Sequence, residues 1–394
     1  MTSQRQTVLI LAAGQALSQT VVVLMITLSA LVGTTLAPVA SLATVPAANF
    51  ILGTALTMIP ASLFMQRYGR RPGFVLGAAL GFAGAVTCAV SVHYGSFAGF
   101  ASGSLLVGAC QGFAQYYRFA AADVASPDFR SRAISWVLVG GVVAAVAGPE
   151  IARSAAHWGA VAYVAPFLIA AGLMVAAMVV MAFVDIPHVR RAASDSTGRP
   201  LLTILRQPAF FVACGGAAAA FGVMTLAMTA TPIAMTAHHH AVEDAARVIQ
   251  LHVLGMFVPS FFTGALIQRF GVTRIMLAGV MLLATHVGIA EAGITLPHFL
   301  SALTFLGIGW NFLYIGGTTL LVDAYRPEEK AKVQAANDLI VFAFSTTASF
   351  SSGVLLAAMG WSGVNYVAVP VLVAATVLIG WYALRRPPVA TRPA

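Results

Sequence analysis

Residues 62–74 read SLFMQRYGRRPGF, and residues 264–276 read GALIQRFGVTRIM. Both share Gln-Arg-aromatic-Gly at the same offset, and the second copy begins about half the chain length after the first. Glycine after the aromatic residue permits a turn tighter than other residues accept. Each copy also sits between two long apolar stretches, so the chain reads as two related helical units.

The surroundings decide what those units are embedded in. Of 394 residues, 59% are hydrophobic and only 8% charged, where a soluble domain carries about 25% charged residues. Apolar runs of about 20 residues recur throughout, each long enough to cross a roughly 30 Å hydrocarbon core at about 1.5 Å per residue. Twelve spans are expected, near 8–32, 41–65, 72–92, 97–121, 133–153, 161–184, 208–235, 245–267, 273–291, 296–322, 331–358 and 364–384. The longest polar connection is DIPHVRRAASDSTGRPLLTILRQ, which has no apolar stripe and reads as a linker. The expected organisation is therefore an all-α membrane protein: a six-helix bundle over 1–184, a cytoplasmic linker over 185–207, and a second six-helix bundle over 208–394 that holds a candidate metal site. The first span is too long for a cleavable signal peptide and lacks a basic leader.

Charge orients the chain. With the N-terminus inside, 19 of the 21 Lys and Arg residues fall on the cytoplasmic side, and only Arg153 and Arg247 lie outside. That asymmetry places both termini in the cytoplasm and accounts for the net charge of +9 without nucleic acid. Cys88, Cys110 and Cys214 all lie in apolar spans and form no paired motif, so they read as small core residues. The sequence contains no HExxH, nucleophile elbow, phosphate loop or dinucleotide fingerprint, which argues against an enzyme and a cofactor.

The first loop resembles the signature of the major facilitator superfamily, a Gly, an acidic residue, Arg, Gly and two basic residues in the loop after the second helix. Arg67, Gly69, Arg70 and Arg71 match it, while Gln66 and Ser62 replace the acidic residue and the leading Gly. The resemblance implies two six-helix bundles around a central cavity that opens alternately to each side, with helices one, four, seven and ten lining it. These loop residues would then act as a conformational latch.

A second stretch suggests a cargo. Residues 224–256 read MTLAMTATPIAMTAHHHAVEDAARVIQLHVLGM, covering helix seven, the outer turn and helix eight. Residues four apart share a helix face, so Met224 pairs with Met228 and His252 with Met256. If both helices descend from a turn near His240, the four reach one depth. Thioethers and neutral imidazole favour Cu(I), and uncharged ligands are the least costly way to hold an ion in a membrane. Met pairs at this spacing are also common core filler. The two pairs resemble those of CcoA-like bacterial copper importers, which supply copper for cytochrome oxidase assembly. The similarity extends over AQYYRFAAADVASPDFRSRAISWVLVGG at 114–141 and GIGWNFLYIGGTTLLVDAYRPEEKAKVQAANDLIVF at 307–342, blocks shared with relatives that resemble riboflavin importers.

The resemblance thus implies an inner-membrane importer that carries copper as its transported substrate. Met224, Met228, His252 and Met256 would be the ligands, and Met235, His238, His239 and His240 accessory positions. The expected partners are the bilayer and a cytoplasmic copper chaperone, with no nucleic acid, and the protein would act as a monomer. A non-transporting copper sensor or a drug exporter would use the same fold. The rival cargo is riboflavin or another small organic solute. Polar and aromatic residues within spans face the bundle interior, and Gln15, Gln19, Gln111, Gln115, Arg118, Trp310, Asn311, Tyr314, Asn337 and Asp338 would suit a flat organic solute. The last carboxylate is expected at a gate rather than in a proton relay.

Overall fold

The computed structural model describes residues 4–126, 129–186 and 198–385, and these residues form helices and their connections. The first set comprises α1 (Gln4–Leu36), α2 (Val45–Tyr68), α3 (Arg70–His93), α4 (Phe97–Ala114), α5 (Tyr117–Val124), α6 (Arg130–Ala155) and α7 (Val164–Ala182). After the short α8 (Leu201–Leu205), the second set comprises α9 (Pro208–Ala237), α10 (Val242–Phe257), α11 (Ser260–Phe270), α12 (Val272–Ala292), α13 (Leu296–Val322) and α14 (Lys330–Arg385).

Among the described residues, nine helices are long and apolar enough to cross a membrane, or ten when the bent pair α10 and α11 counts as one. The 56-residue α14 is interrupted by Gly360 at φ 68°, where the expected spans eleven and twelve meet. Large apolar side chains such as Leu56, Phe183, Phe261, Met281 and Val377 are exposed. Such a surface would be a liability in water and is natural against lipid tails.

Local chemistry explains the ends of the helices. Gly69 (φ 98°) alone joins α2 to α3, and Gly271 (φ 88°) alone joins α11 to α12; only glycine takes that backbone cheaply. The repeated motif is thus two copies of one corner. Pro46, Pro208 and Pro297 lie in first turns, where a missing N–H costs nothing. Ser96 caps α4 by accepting from the Gly99 N–H at 3.2 Å.

Two expected spans are broken. The fourth divides at Gln115–Tyr116 into α4 and α5, and the eighth bends by 43° between α10 and α11. At the second break Pro259 removes an N–H donor, and Asn311 of α13 supplies a donor to the Met256 carbonyl that the bend exposes. Its Nδ2 donates to the Met256 carbonyl at 2.6 Å and to Ser260 Oγ at 2.7 Å, while Thr263 Oγ1 donates to its Oδ1 at 2.7 Å. Asn311 therefore serves the bend and is spent within its own helix set.

The polar connection also holds a helix, because Pro200 starts α8 and Ile204 buries itself in the core of the second set. Arg199 anchors it. Its Nε and Nη2 donate to the two Glu329 carboxylate oxygens at 2.9 and 2.7 Å, its N–H donates to Oε1 at 2.7 Å, and the Arg326 N–H donates to Oε2 at 2.9 Å. The Arg199 guanidinium and these N–H groups hold the Glu329 carboxyl well below the usual carboxylate range. His188, Arg190 and Arg191 lie outside the described residues.

Two apolar cores fill α1–α7, and a third fills α9–α14 with Val23, Ala144 and Ala145 added from the first set. The sets meet through α1 on α9, α2 on α14 and α6 on α10. These contacts run from mid-depth, where Gly141 lies beside the Phe257 ring, to the end bearing the 238–240 turn. At that end the Gly353 N–H donates to Thr44 Oγ1 at 3.1 Å. Towards the opposite, arginine-rich end, α11 packs on α10, α12 and α13 of its own set.

Candidate functional site

Between the two sets, the first contributes amides and a guanidinium. Gln111 Nε2 on α4 donates to Gln19 Oε1 on α1 at 3.2 Å, and Gln111 Oε1 is buried without a partner. Gln15 is half-buried one turn from Gln19, and Gln115 caps the end of α4. The break that follows swings Arg118 out of the helical register that would have aligned it with Gln111. Its guanidinium lies over the Phe119 ring at 4.9 Å, and its Nε is buried without a partner.

The second set contributes rings. Trp310 and Tyr314, four residues apart on α13, stack with centroids 4.8 Å apart and planes 20° apart. Phe221 of α9 meets both edge-on at 5.1 and 5.4 Å and reaches Phe342 of α14 at 5.9 Å. Edge-to-face and offset contacts of this kind are the favourable aromatic geometries. Trp310 Nε1 is buried and donates to nothing, and Thr346 Oγ1 on α14 is likewise unpartnered. A buried polar atom without a partner costs stability, a condition that Trp310 Nε1 shares with His252 Nε2, and Trp310 Nε1 is free to donate to an incoming acceptor.

Arg118 of the first set faces Tyr314 and Asp338 of the second. Asn337 is buried, and its Nδ2 donates to the neighbouring Asp338 Oδ1 at 3.1 Å. The arrangement offers a flat aromatic wall, donors at Trp310 and Arg118, and an acceptor at Gln111. Sequence reasoning missed Phe221, Phe342 and Thr346. The i,i+4 spacing of Asp338 and Phe342 was a usable signal, but it is faint in a chain with 24 phenylalanines.

The metal candidates are distributed differently. Met228 and Met235 are buried in the core of the second set, with Met224 and Met256 half-buried against it. His252 is fully buried, and its Nδ1 is 2.8 Å from the Leu303 carbonyl of α13. Among the described residues no hydrogen bond links the four. His240 Nε2 lies 2.8 Å from the Ile294 carbonyl, while His238 and His239 are exposed in the turn. No three His, Cys, Asp or Glu side chains gather around a metal-sized space among the described residues.

In the first loop, Arg70 pairs with Asp123 of α5, so this carboxylate provides the acidic partner absent at Gln66. Arg67 lies over the Tyr68 ring at 5.3 Å, and Arg71 is exposed.

Comparison with known proteins gives a family and relatives. The family described as the Major Facilitator Superfamily matches residues 8–238 and 212–394. The riboflavin transporter RfnT of Brucella anthropi is 42% identical over 374 residues, 94% of each chain. An uncharacterized MFS-type transporter, YddS of Bacillus subtilis, is 29% identical over 84% of this chain and 80% of its own. Among solved structures, the nucleoside transporter NupG superposes with a TM-score of 0.73 at 14% identity, over 97% of this chain and all 100% of its own. The human organic anion transporter MFSD10 gives 0.69 at 16%, over 96% of this chain and 100% of its own. These structures speak to the fold alone.

Copper import, the cargo expected from the Met and His pairs, is overturned by this comparison. A relative at 42% identity along 94% of both chains is a riboflavin transporter, which favours the organic-solute alternative. The physical reason for the error is the double life of Met at helical spacing, which fills cores more often than it binds ions. The copper-importer branch, the copper sensor and the copper chaperone lose their basis with it.

Proposed function

Because the chain belongs to the Major Facilitator Superfamily, we propose that it imports riboflavin, or a closely similar flat heteroaromatic solute, across the bacterial inner membrane. Members of this superfamily are multi-pass membrane transporters rather than enzymes. The observation that carries the cargo is the 42% identity to a riboflavin transporter along 94% of both chains. The site supports it chemically. A tricyclic flavin ring would stack against the Trp310–Tyr314 pair, its carbonyls would accept from Arg118, and its ring N–H would donate to Gln111 Oε1.

In this reading the arginine-rich end is cytoplasmic, and the packing of Thr44 on Gly353 closes the periplasmic side. The described state then faces inward, and uptake requires that contact to part while the opposite ends of the sets close. Riboflavin carries no charge, so the membrane potential does no work on it. Net import therefore needs either consumption of free riboflavin inside the cell or coupling to an ion.

The test is uptake of labelled riboflavin by a bacterial strain lacking both riboflavin synthesis and its own importer. Cells expressing this chain should accumulate the label and grow on low external riboflavin. No accumulation above the empty vector, with the protein present in the membrane, would sink the proposal.

A further inference from the structure

Between the helix sets, Arg118 and Asp338 act on each other without joining in an ion pair. Arg118 stands on α5 and Asp338 on α14, and each lies within the other's field. No Arg118–Asp338 ion pair of 4.0 Å or less occurs among the described residues. Tyr116 and Tyr314 are the other titratable groups beside Arg118. Of the other cations at that end of the first set, Arg70 is already paired with Asp123, Arg67 lies over the Tyr68 ring and Arg71 is exposed. Arg118 and Asp338 thus balance each other without closing into an ion pair.

A guanidinium with a buried, unpartnered Nε–H is a ready binder of phosphate and carboxylate, which it holds through several parallel hydrogen bonds. Left alone in a water-poor cavity, Arg118 would draw in anions. Asp338 opposes this in two ways, since it neutralises the guanidinium at a distance and repels an anion placed between them. Its Oδ1 accepts from Asn337 Nδ2 at 3.1 Å, which holds the carboxylate in place. Asp338 also lies four residues from Phe342, whose ring belongs to the aromatic wall, so the charge balance sits beside the flat surface.

We infer that Asp338 is a specificity determinant that restricts this cavity to uncharged solutes by balancing Arg118, so that riboflavin is accepted and its phosphate monoester refused. The inference rests on the riboflavin reading above and extends it to the discrimination between two flavins that share the same ring.

The experiment titrates the purified full-length chain in phospholipid nanodiscs with riboflavin and with riboflavin phosphate, following quenching of flavin fluorescence. The wild type should bind the phosphate ester at least about tenfold more weakly than riboflavin, and in Asp338→Asn that ratio should fall by at least about tenfold, the size of a charge–charge interaction across about 12 Å at an effective dielectric of about 20. Asp338→Glu should keep the wild-type ratio, and adding Arg118→Gln to Asp338→Asn should restore it. Asp338→Ser repeats the measurement should Asp338→Asn fail to assemble. An unchanged ratio in a charge-removing variant that still binds riboflavin overturns the role of Asp338 while leaving the cargo standing. A wild type that binds neither flavin overturns the riboflavin reading and the inference with it.

Discussion

Trp310 is the residue on which the aromatic wall turns, because it stacks on Tyr314, meets Phe221 and leaves Nε1 without an acceptor. Stacking of a planar heterocycle on an aromatic side chain is worth about 1–3 kcal/mol, so Trp310→Ala should weaken riboflavin binding by roughly ten- to a hundredfold. Trp310→Phe should recover part of the loss. Equilibrium titration with melting temperature as a control for folding checks this, and equal affinity in Trp310→Ala would remove the ring from the site. Trp310, Tyr314 and Asp338 were legible in the sequence because such residues are costly inside an apolar span. His252 gave the same signal for another reason: its Nδ1 is turned to the Leu303 carbonyl, and a sequence does not say which acceptor a buried imidazole finds.

At the scale of the element, the bent α10–α11 pair depends on one side chain from a neighbouring helix. Asn311→Ala would leave the Met256 carbonyl without its Asn311 donor, and one such orphaned group costs about 1–3 kcal/mol. A lowered thermal unfolding temperature in detergent is the expected result, and an unchanged one would show that water replaces the amide. Glu329 ties a second element, α8 with its leading Arg199, to the start of α14. Its folded pKa lies below the ordinary value near 4.5, so the pair's contribution is complete above that unfolded value and is lost as pH falls through the folded one. Glu329→Gln should therefore lower stability at neutral pH and flatten its decline in acid, as read from melting temperatures across an acid series. The corners at Gly69 and Gly271 were readable from the repeat, whereas the bend and α8 were not. A proline marks where a helix can break, but the residue that repairs the break is 52 positions away in Asn311, counted from Pro259.

For the whole molecule, the contact between Thr44 and Gly353 is the testable hinge of transport. A Cβ built on Gly353 would clash with the Thr44 hydroxyl and, at 2.8 Å, with the Ser41 carbonyl, so the sets close there because the residue is glycine. Gly353→Val should therefore hold this end apart and reduce riboflavin uptake at unchanged amounts of protein in the membrane. Uptake equal to the wild type would show that this end need not close.

The sequence by itself determined the class, the repeat and the corners of this protein. Apolar length, charge asymmetry and a glycine needing positive φ are local properties, set within one span or one turn. It also placed aromatic and amide residues within spans, enough to keep an organic cargo in view beside copper. Tertiary structure decided which of those residues meet across the two helix sets. Asn311 was drawn into the bend, while Phe221 and Phe342 joined the wall and Arg118 came to face Asp338. These pairings join residues tens to hundreds of positions apart, and helix periodicity constrains only neighbours within a few turns.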